Sequence, residues 1–129
     1  MNMKYIRETE KGVADALQDL QEAVANNGFG VLHIYDLKAT LMNKGIELPE
    51  ECHILEICNP KKAAEVLSAD MSMNMALPCR VSIYTEGGKT KIGMIKPKAM
   101  LEMLSDSPAL AQVAAEVEQT TIKIIDEAI

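Results

Sequence analysis

Apolar positions in the N-terminal quarter of the chain first follow a strand period and then a helical one. Residues 3–9 are predicted to form a short strand. Residues 11–27 are predicted to form a helix, because their apolar side chains recur every three or four positions and so share one face. That face consists of Val13, Leu17, Leu20 and Val24. Gly28 then supplies a residue that tolerates the left-handed backbone of a helix end.

A second strand is predicted over residues 29–36, where apolar residues occupy both sets of alternate positions. Its two faces are Phe29, Val31, His33 and Tyr35 on one side and Leu32 and Ile34 on the other. We therefore expect a strand that is covered on both faces or nearly so. A short helix follows over residues 37–45, with Asp36 as its N-terminal cap.

The third strand, predicted over residues 52–58, runs directly into a helix. Asn59 is a favourable N-cap. Pro60 stands at the first helical position, where a missing backbone N–H costs nothing. The junction between strand and helix is therefore expected at residues 58–60.

A hairpin is predicted over residues 79–95, because two apolar runs flank Gly87 and Gly88, which tolerate positive φ. Two helices complete the chain, the first starting at Pro97 and the last at Pro108. The pattern predicts a single α+β domain over residues 1–129, with a largely antiparallel, twisted sheet of about five strands and helices packed on one face.

Composition and charge exclude several classes of function. The net charge of −6 repels phosphate backbones and anionic membranes, and one Phe with three Tyr cannot build a base-stacking platform, so we expect no nucleic acid partner. No apolar run has the length of a signal sequence or a membrane span. We expect a cytoplasmic protein whose Cys52, Cys58 and Cys79 are reduced thiols, because their spacing fits no zinc or redox motif.

Four stretches together resemble a known family: GFGVLHIYDLKATLMNKG, LEICNPKKAAEVL, LPCRVSIYTEGGK and the proline of IKP. They are similar to the domain of unknown function family 302, whose pattern includes Cys-Asn-Pro at a strand end and Leu-Pro-Cys at the start of a hairpin strand. The resemblance implies an α+β fold similar to the TATA-binding-protein-like arrangement, and a homodimer. It implies no activity. The methionine-rich MSMNMA before Leu77 departs from the family pattern.

Met71, Met73 and Met75 alternate with polar residues, and the alternation continues through Pro78 into the hairpin strand. This period of two predicts an extended segment whose odd positions face the core. The alternative is a copper(I) site, since thioethers and thiolates are soft ligands.

The strongest candidate site lies where the Cys58–Asn59–Pro60 helix start and the Leu77–Pro78–Cys79 strand start would meet. If these strands are antiparallel neighbours, Cys58 and Cys79 share one end of the sheet. A helix N-terminus stabilises a thiolate at Cys58. Lys61 and Lys62 in the first helical turn oppose the helix dipole, which hints at a bound anion. The alternative is a pair of solvated lysines beside a buried, unreactive cysteine.

Other polar residues are weaker candidates. Asp36 is expected to cap a helix, with a place at the mouth of a cleft as the alternative. Arg80 is expected on the less buried face of the hairpin, opposite Cys79, where it is available to an anion or a dimer contact. His33 and His53 are expected to be partly buried and hydrogen-bonded inside strands.

Together these features predict a small homodimeric binding protein without catalytic activity or cofactor. Its cleft would hold an anionic or thiol-reactive ligand through Cys58, Asn59, Lys61, Cys79, Arg80 and Asp36. The alternative is a thiol redox or copper(I) protein that uses Cys58 and Cys79 with help from Met75. A third hypothesis, a module that only binds a protein partner, predicts a large exposed apolar patch away from the cysteines.

Overall fold

The computed structural model describes residues 2–129, which contain five strands and five α-helices. The strands are β1 (Lys4–Thr9), β2 (Gly30–Asp36), β3 (Cys52–Cys58), β4 (Cys79–Glu86) and β5 (Lys89–Ile95). The helices are α1 (Val13–Asn26), α2 (Leu37–Met42), α3 (Pro60–Ala69), α4 (Pro97–Leu104) and α5 (Pro108–Ala128). A 3-10 helix spans Met71–Ala76. No helix of this part of the chain has both the length and the apolarity to cross a membrane.

The five strands form one sheet in the order β1-β5-β4-β3-β2, and every neighbouring pair is antiparallel. Helices α1 and α5 cover one face of this sheet, so the predicted fold class is confirmed. The main core lies between them, and its fully buried side chains include Leu20, Leu55, Ile57, Val81, Ile83, Ile92, Ile124 and Ile125. A second apolar cluster joins α3, the 3-10 helix, α4 and the first turns of α5.

The first and last elements of the chain are held together by polar contacts. Asp126, near the end of α5, accepts hydrogen bonds from the Tyr5 hydroxyl at 2.5 Å and from the Arg7 guanidinium at 3.0 Å. The ammonium of Lys11 donates to the backbone carbonyl of Ala128 at 3.0 Å. The hydrogen bond to Asp126 raises the pKa of Tyr5 above its usual value, because ionisation would remove the phenol proton that the carboxylate accepts.

The prediction that β2 is covered on both faces is wrong. This strand is a sheet edge, and a register shift between Val31 and His33 places an irregularity at Leu32. Val31 and Ile34 therefore both pack against the core, although they stand at odd and even positions. His33 is exposed, contrary to the prediction, and its ring lies 4.4 Å from that of Tyr35.

The methionine segment is not extended, so that prediction is also wrong. The Asp70 carboxylate accepts hydrogen bonds from the Ser72 backbone N–H at 3.0 Å and from its hydroxyl at 2.6 Å, which starts the 3-10 helix locally. In a helix with three residues per turn, alternate positions do not share a face. Met73 is 5% exposed in the second apolar cluster, whereas Met71 and Met75 are 66% and 83% exposed.

Candidate functional site

The start of α3 and the start of β4 lie side by side at one end of the sheet. Strands β3 and β4 are antiparallel, and Ile57 pairs with Cys79. Cys58 is therefore the next residue along β3, and both cysteines line one cavity. The antiparallel arrangement, which the sequence analysis required for the two cysteines to share one end of the sheet, is therefore present.

Local sequence features fix both walls of this cavity. The Asn59 side chain accepts a hydrogen bond from the Lys62 backbone N–H at 3.2 Å, and Pro60 occupies the first helical position, as predicted. On the opposite wall the Leu77–Pro78 peptide bond is cis. The hollow is bounded by β3, α3, the Leu77–Cys79 segment, α4 and α5.

This hollow, named here the thiol cavity, has a volume of about 220 Å³. Its walls are almost entirely apolar, and the lining includes Phe29, Ile57, Val66, Leu77, Met100, Leu101, Ala114 and Val117. The polar groups at its boundary are the two thiols, Asn59 and the side chain of Lys62. Such walls favour a ligand that is itself mainly apolar.

Burial raises the pKa of the Cys79 thiol to about 11, and the neighbouring Cys58 contributes a smaller increase. At neutral pH the Cys79 side chain is therefore an uncharged thiol. Cys52, at the other end of β3, lies outside the cavity, and burial followed by the nearby Asp36 carboxylate raises its pKa as well. These shifts oppose thiolate chemistry at Cys79 and Cys52, because the thiolate is the nucleophilic form.

The start of α3 offers few groups to an anion. Pro60 has no backbone N–H, the N–H of Lys62 is bonded to the Asn59 side chain, and that of Ala63 donates to the Asn59 carbonyl at 2.9 Å. Lys61 is exposed and does not line the cavity. The residue at the cavity wall is Lys62, whose ammonium is paired with the Glu116 carboxylate of α5. This pairing raises the pKa of Lys62 and lowers that of Glu116.

Three other predicted site residues lie elsewhere. Asp36 caps α2, where its carboxylate accepts a hydrogen bond from the Ala39 N–H at 3.0 Å. In the sheet it lies opposite His53, at the end of β2 and β3 that is distant from Cys58. Arg80 is exposed and lines a neighbouring hollow, not the thiol cavity. Met75 also lines only that second hollow, so the copper(I) ligand set of Cys58, Cys79 and Met75 does not gather around one cavity.

Sequence reasoning missed the part of the site that α4 and α5 supply, namely Met100, Leu101, Ala114 and Val117. No local signal distinguishes an apolar residue that lines a cavity from one that is closely packed. A signal did exist for Lys62. Residues 59, 62, 63 and 66 share one helical face by their spacing. Of Lys61 and Lys62, it is therefore Lys62 that lies on the face of the cavity.

A family model described as "Domain of unknown function DUF302" matches residues 5–128. The chain belongs to the DUF302 family. The crystal structure of an uncharacterized conserved protein DUF302 from Bacillus stearothermophilus is similar to this DUF302 chain over 98% of both chains, with 34% sequence identity and a TM-score of 0.94. A search of curated proteins gave no match.

The family prediction made from the motifs is thereby confirmed. In this DUF302 chain, the two motifs on which the prediction rested, Cys58–Asn59–Pro60 and Leu77–Pro78–Cys79, form facing parts of the thiol cavity. Two walls of the cavity are thus built from residues that make the sequence resemble the family, and α4 and α5 supply the rest.

Proposed function

We propose that this DUF302 protein binds a small, mainly apolar molecule in the thiol cavity. The observation that carries the proposal is the chemistry of the walls, which combine aliphatic side chains with the uncharged thiol of Cys79. Apolar contact with such a lining stabilises a bound ligand, whereas burial of an unpaired charge there destabilises it. The protein acts by binding, without catalysis of its own.

The geometry favours an uncharged ligand over the anionic one suggested by the sequence. The ammonium of Lys62 is already paired with Glu116, and Glu65 lies 3.8 Å from it, so the local charge near the rim is not positive. An anion there would compete with two carboxylates. The thiol of Cys58 remains a contact for the ligand at the cavity wall.

The volume sets the size of the ligand. A protein cavity of about 150 Å³ with aliphatic and aromatic walls is known to hold benzene. At about 220 Å³, the thiol cavity has room for a somewhat larger molecule, such as a substituted single ring. Toluene is therefore a suitable first probe.

The proposal includes a homodimer and a cytoplasmic location. The homodimer rests on the resemblance to the family. Sedimentation equilibrium tests it, since a monomer at tens of micromolar protein would contradict it.

Filling the cavity is expected to weaken toluene binding. Ala63 is half-buried on the cavity wall, whereas its neighbour Ala64 is exposed and lies outside the cavity. We expect Ala63→Leu to weaken toluene binding at least about tenfold, equivalent to about 1.4 kcal/mol, in a calorimetric titration. Leucine suits a helix, so both variants should fold.

The matched control is Ala64→Leu, which adds the same side chain one position along α3. It should bind toluene with the affinity of the unchanged protein. Equal binding by all three proteins, or no binding of toluene by the unchanged protein, would contradict the proposed function.

The raised pKa of Cys79 separates this proposal from the thiol redox alternative. With a pKa near 11, Cys79 has roughly one hundredth of the thiolate of an ordinary cysteine at pH 8. We therefore expect iodoacetamide at pH 8 to alkylate Cys79 about one hundred times more slowly than it alkylates a free thiol. Mass spectrometry of peptides measures this rate. Denaturant should restore the ordinary rate, and rapid alkylation of the folded protein would favour the redox alternative.

A further inference from the structure

Strands β4 and β5 separate at the end of the hairpin that is distant from its turn. Their pairing begins at Glu86 and Lys89 and ends at Ser82 and Gly93. Both strands continue beyond this point, to Cys79 in β4 and to Ile95 in β5. Each continues to pair with its outer neighbour, β3 or β1. The sheet therefore contains a gap between two of its central strands.

This gap is a cavity of about 330 Å³. Methionine side chains supply much of its apolar wall, namely Met75, Met94 and Met100. Methionine is flexible and polarisable, so it adapts to an apolar chain. Backbone groups of separated strands lack their ladder partners in the gap, which adds polar character to its wall. Arg80 and Ile95 stand at the side that faces away from the helices.

One cation lines the gap, and two more lie in neighbouring depressions. The Arg80 side chain is 67% exposed, and the Glu56 carboxylate lies 4.0 Å from its guanidinium, which is too long for a hydrogen bond. Lys4 lines a shallow depression together with Arg80, and Lys96 lines another with Lys4. Within residues 2–129, neither Lys4 nor Lys96 forms an ion pair. Three cations thus gather at this end of a chain whose net charge is −6.

We propose that the gap between β4 and β5 binds an amphipathic monocarboxylate, that is, a linear apolar chain ending in one carboxylate. The carboxylate pairs with the Arg80 guanidinium, which can donate two parallel hydrogen bonds to it, and Lys4 adds long-range attraction. The apolar chain lies against Met75 and Met94. The gap has roughly twice the volume of a benzene-binding cavity, so a chain of about eight to ten carbons fits it.

This site is distinct from the thiol cavity, although the two share the wall that contains Leu77–Cys79 and Met100. The thiol cavity has no unpaired cation and favours an uncharged ligand. The gap has an available guanidinium and favours an anionic head group. The inference therefore does not depend on the proposed function, and either can fail alone.

Calorimetric titrations with decanoate and with decanol, both below the concentrations at which they aggregate, test the inference. Decanoate should bind more tightly than decanol despite the net negative charge of the protein. Arg80→Gln should weaken decanoate binding about tenfold and leave decanol binding within about twofold. The control Lys89→Gln removes one positive charge at the hairpin turn, where Lys89 pairs with Glu8, and should leave both affinities unchanged.

Methionine methyl spectra locate the ligand. Decanoate should shift the methyl resonances of Met75 and Met94, which line the gap but not the thiol cavity, and leave those of Met42 and Met103 in place. Equal decanoate affinity in the Arg80→Gln variant would overturn the inference. The inference would also be overturned if Ala63→Leu lost decanoate binding while Arg80→Gln retained it, because the ligand would then occupy the thiol cavity.

Discussion

Replacing Ile57 with alanine is expected to lower the free energy of unfolding by about 3 kcal/mol. Its side chain is fully buried in the main core and also forms part of the wall of the thiol cavity. Surrounding atoms that already border a void cannot readily collapse into the new space, so the loss includes a cavity contribution as well as lost burial. Urea denaturation measures the change through the transition midpoint, with an unchanged m-value.

Two controls belong with this variant. Ile57→Val removes a single methyl group and should cost about 1 kcal/mol. Ile54→Ala, on the same strand but on the face away from the helices, is only half-buried and should cost less than half as much as Ile57→Ala. A loss below about 1 kcal/mol for Ile57→Ala would mean that the end of β3 does not pack as described.

The second large effect is expected at Gly93, a buried glycine in β5. A Cβ atom built there would lie 2.9 Å from Cγ1 of Ile6 and 3.2 Å from the carbonyl oxygen of Tyr5. The backbone atom cannot move without disturbing the pairing of β1 with β5, so Gly93→Val should destabilise the protein by about 2 kcal/mol. Thermal or urea unfolding measures this loss.

Gly30 offers a matched control, because it is also a strand glycine. A Cβ atom at Gly30 would meet only the Cys58 carbonyl oxygen, at 4.0 Å. Gly30→Val should therefore be neutral or slightly stabilising, since valine is the better strand residue. If both variants lost the same stability, crowding by β1 would not be the cause.

Elements defined by local rules were predictable from the sequence. The helical stripe of α1, the glycine turn between β4 and β5, and the start of α3 at Asn59 and Pro60 are all present as expected. In each case, neighbouring residues determine the backbone: periodic burial, glycines that tolerate positive φ, and a side-chain cap next to a proline.

Two predictions from the pattern of alternate positions were wrong, because the local backbone departs from a regular strand. In the methionine segment, the Asp70 side chain bonds to Ser72 and favours a 3-10 helix over a strand. In β2, the register shift at Leu32 changes which residues face the core after that point. An alternation of apolar and polar residues does not reveal either event.

The candidate site was predictable only in part. Antiparallel pairing of β3 with β4 brings Cys58 and Cys79 to one cavity, which a mostly antiparallel sheet made the favoured outcome. The contributions of α4 and α5 depend on tertiary packing more than thirty residues from Cys58 in the chain. Asp36 and Arg80 do not line the thiol cavity, because Asp36 lies at the opposite end of β2 and β3 from Cys58 and Arg80 follows Cys79 in β4 and so points to the other face of the sheet.

The hydrogen bonds from Tyr5 and Arg7 to Asp126 have a consequence for synthesis of the protein on the ribosome. Strand β1 emerges first, but the carboxylate that holds it to α5 lies 119 residues after Arg7. The main core also needs Ile124 and Ile125 from the same helix. A nascent chain therefore exposes the apolar face of its sheet until the last turns of α5 have left the exit tunnel.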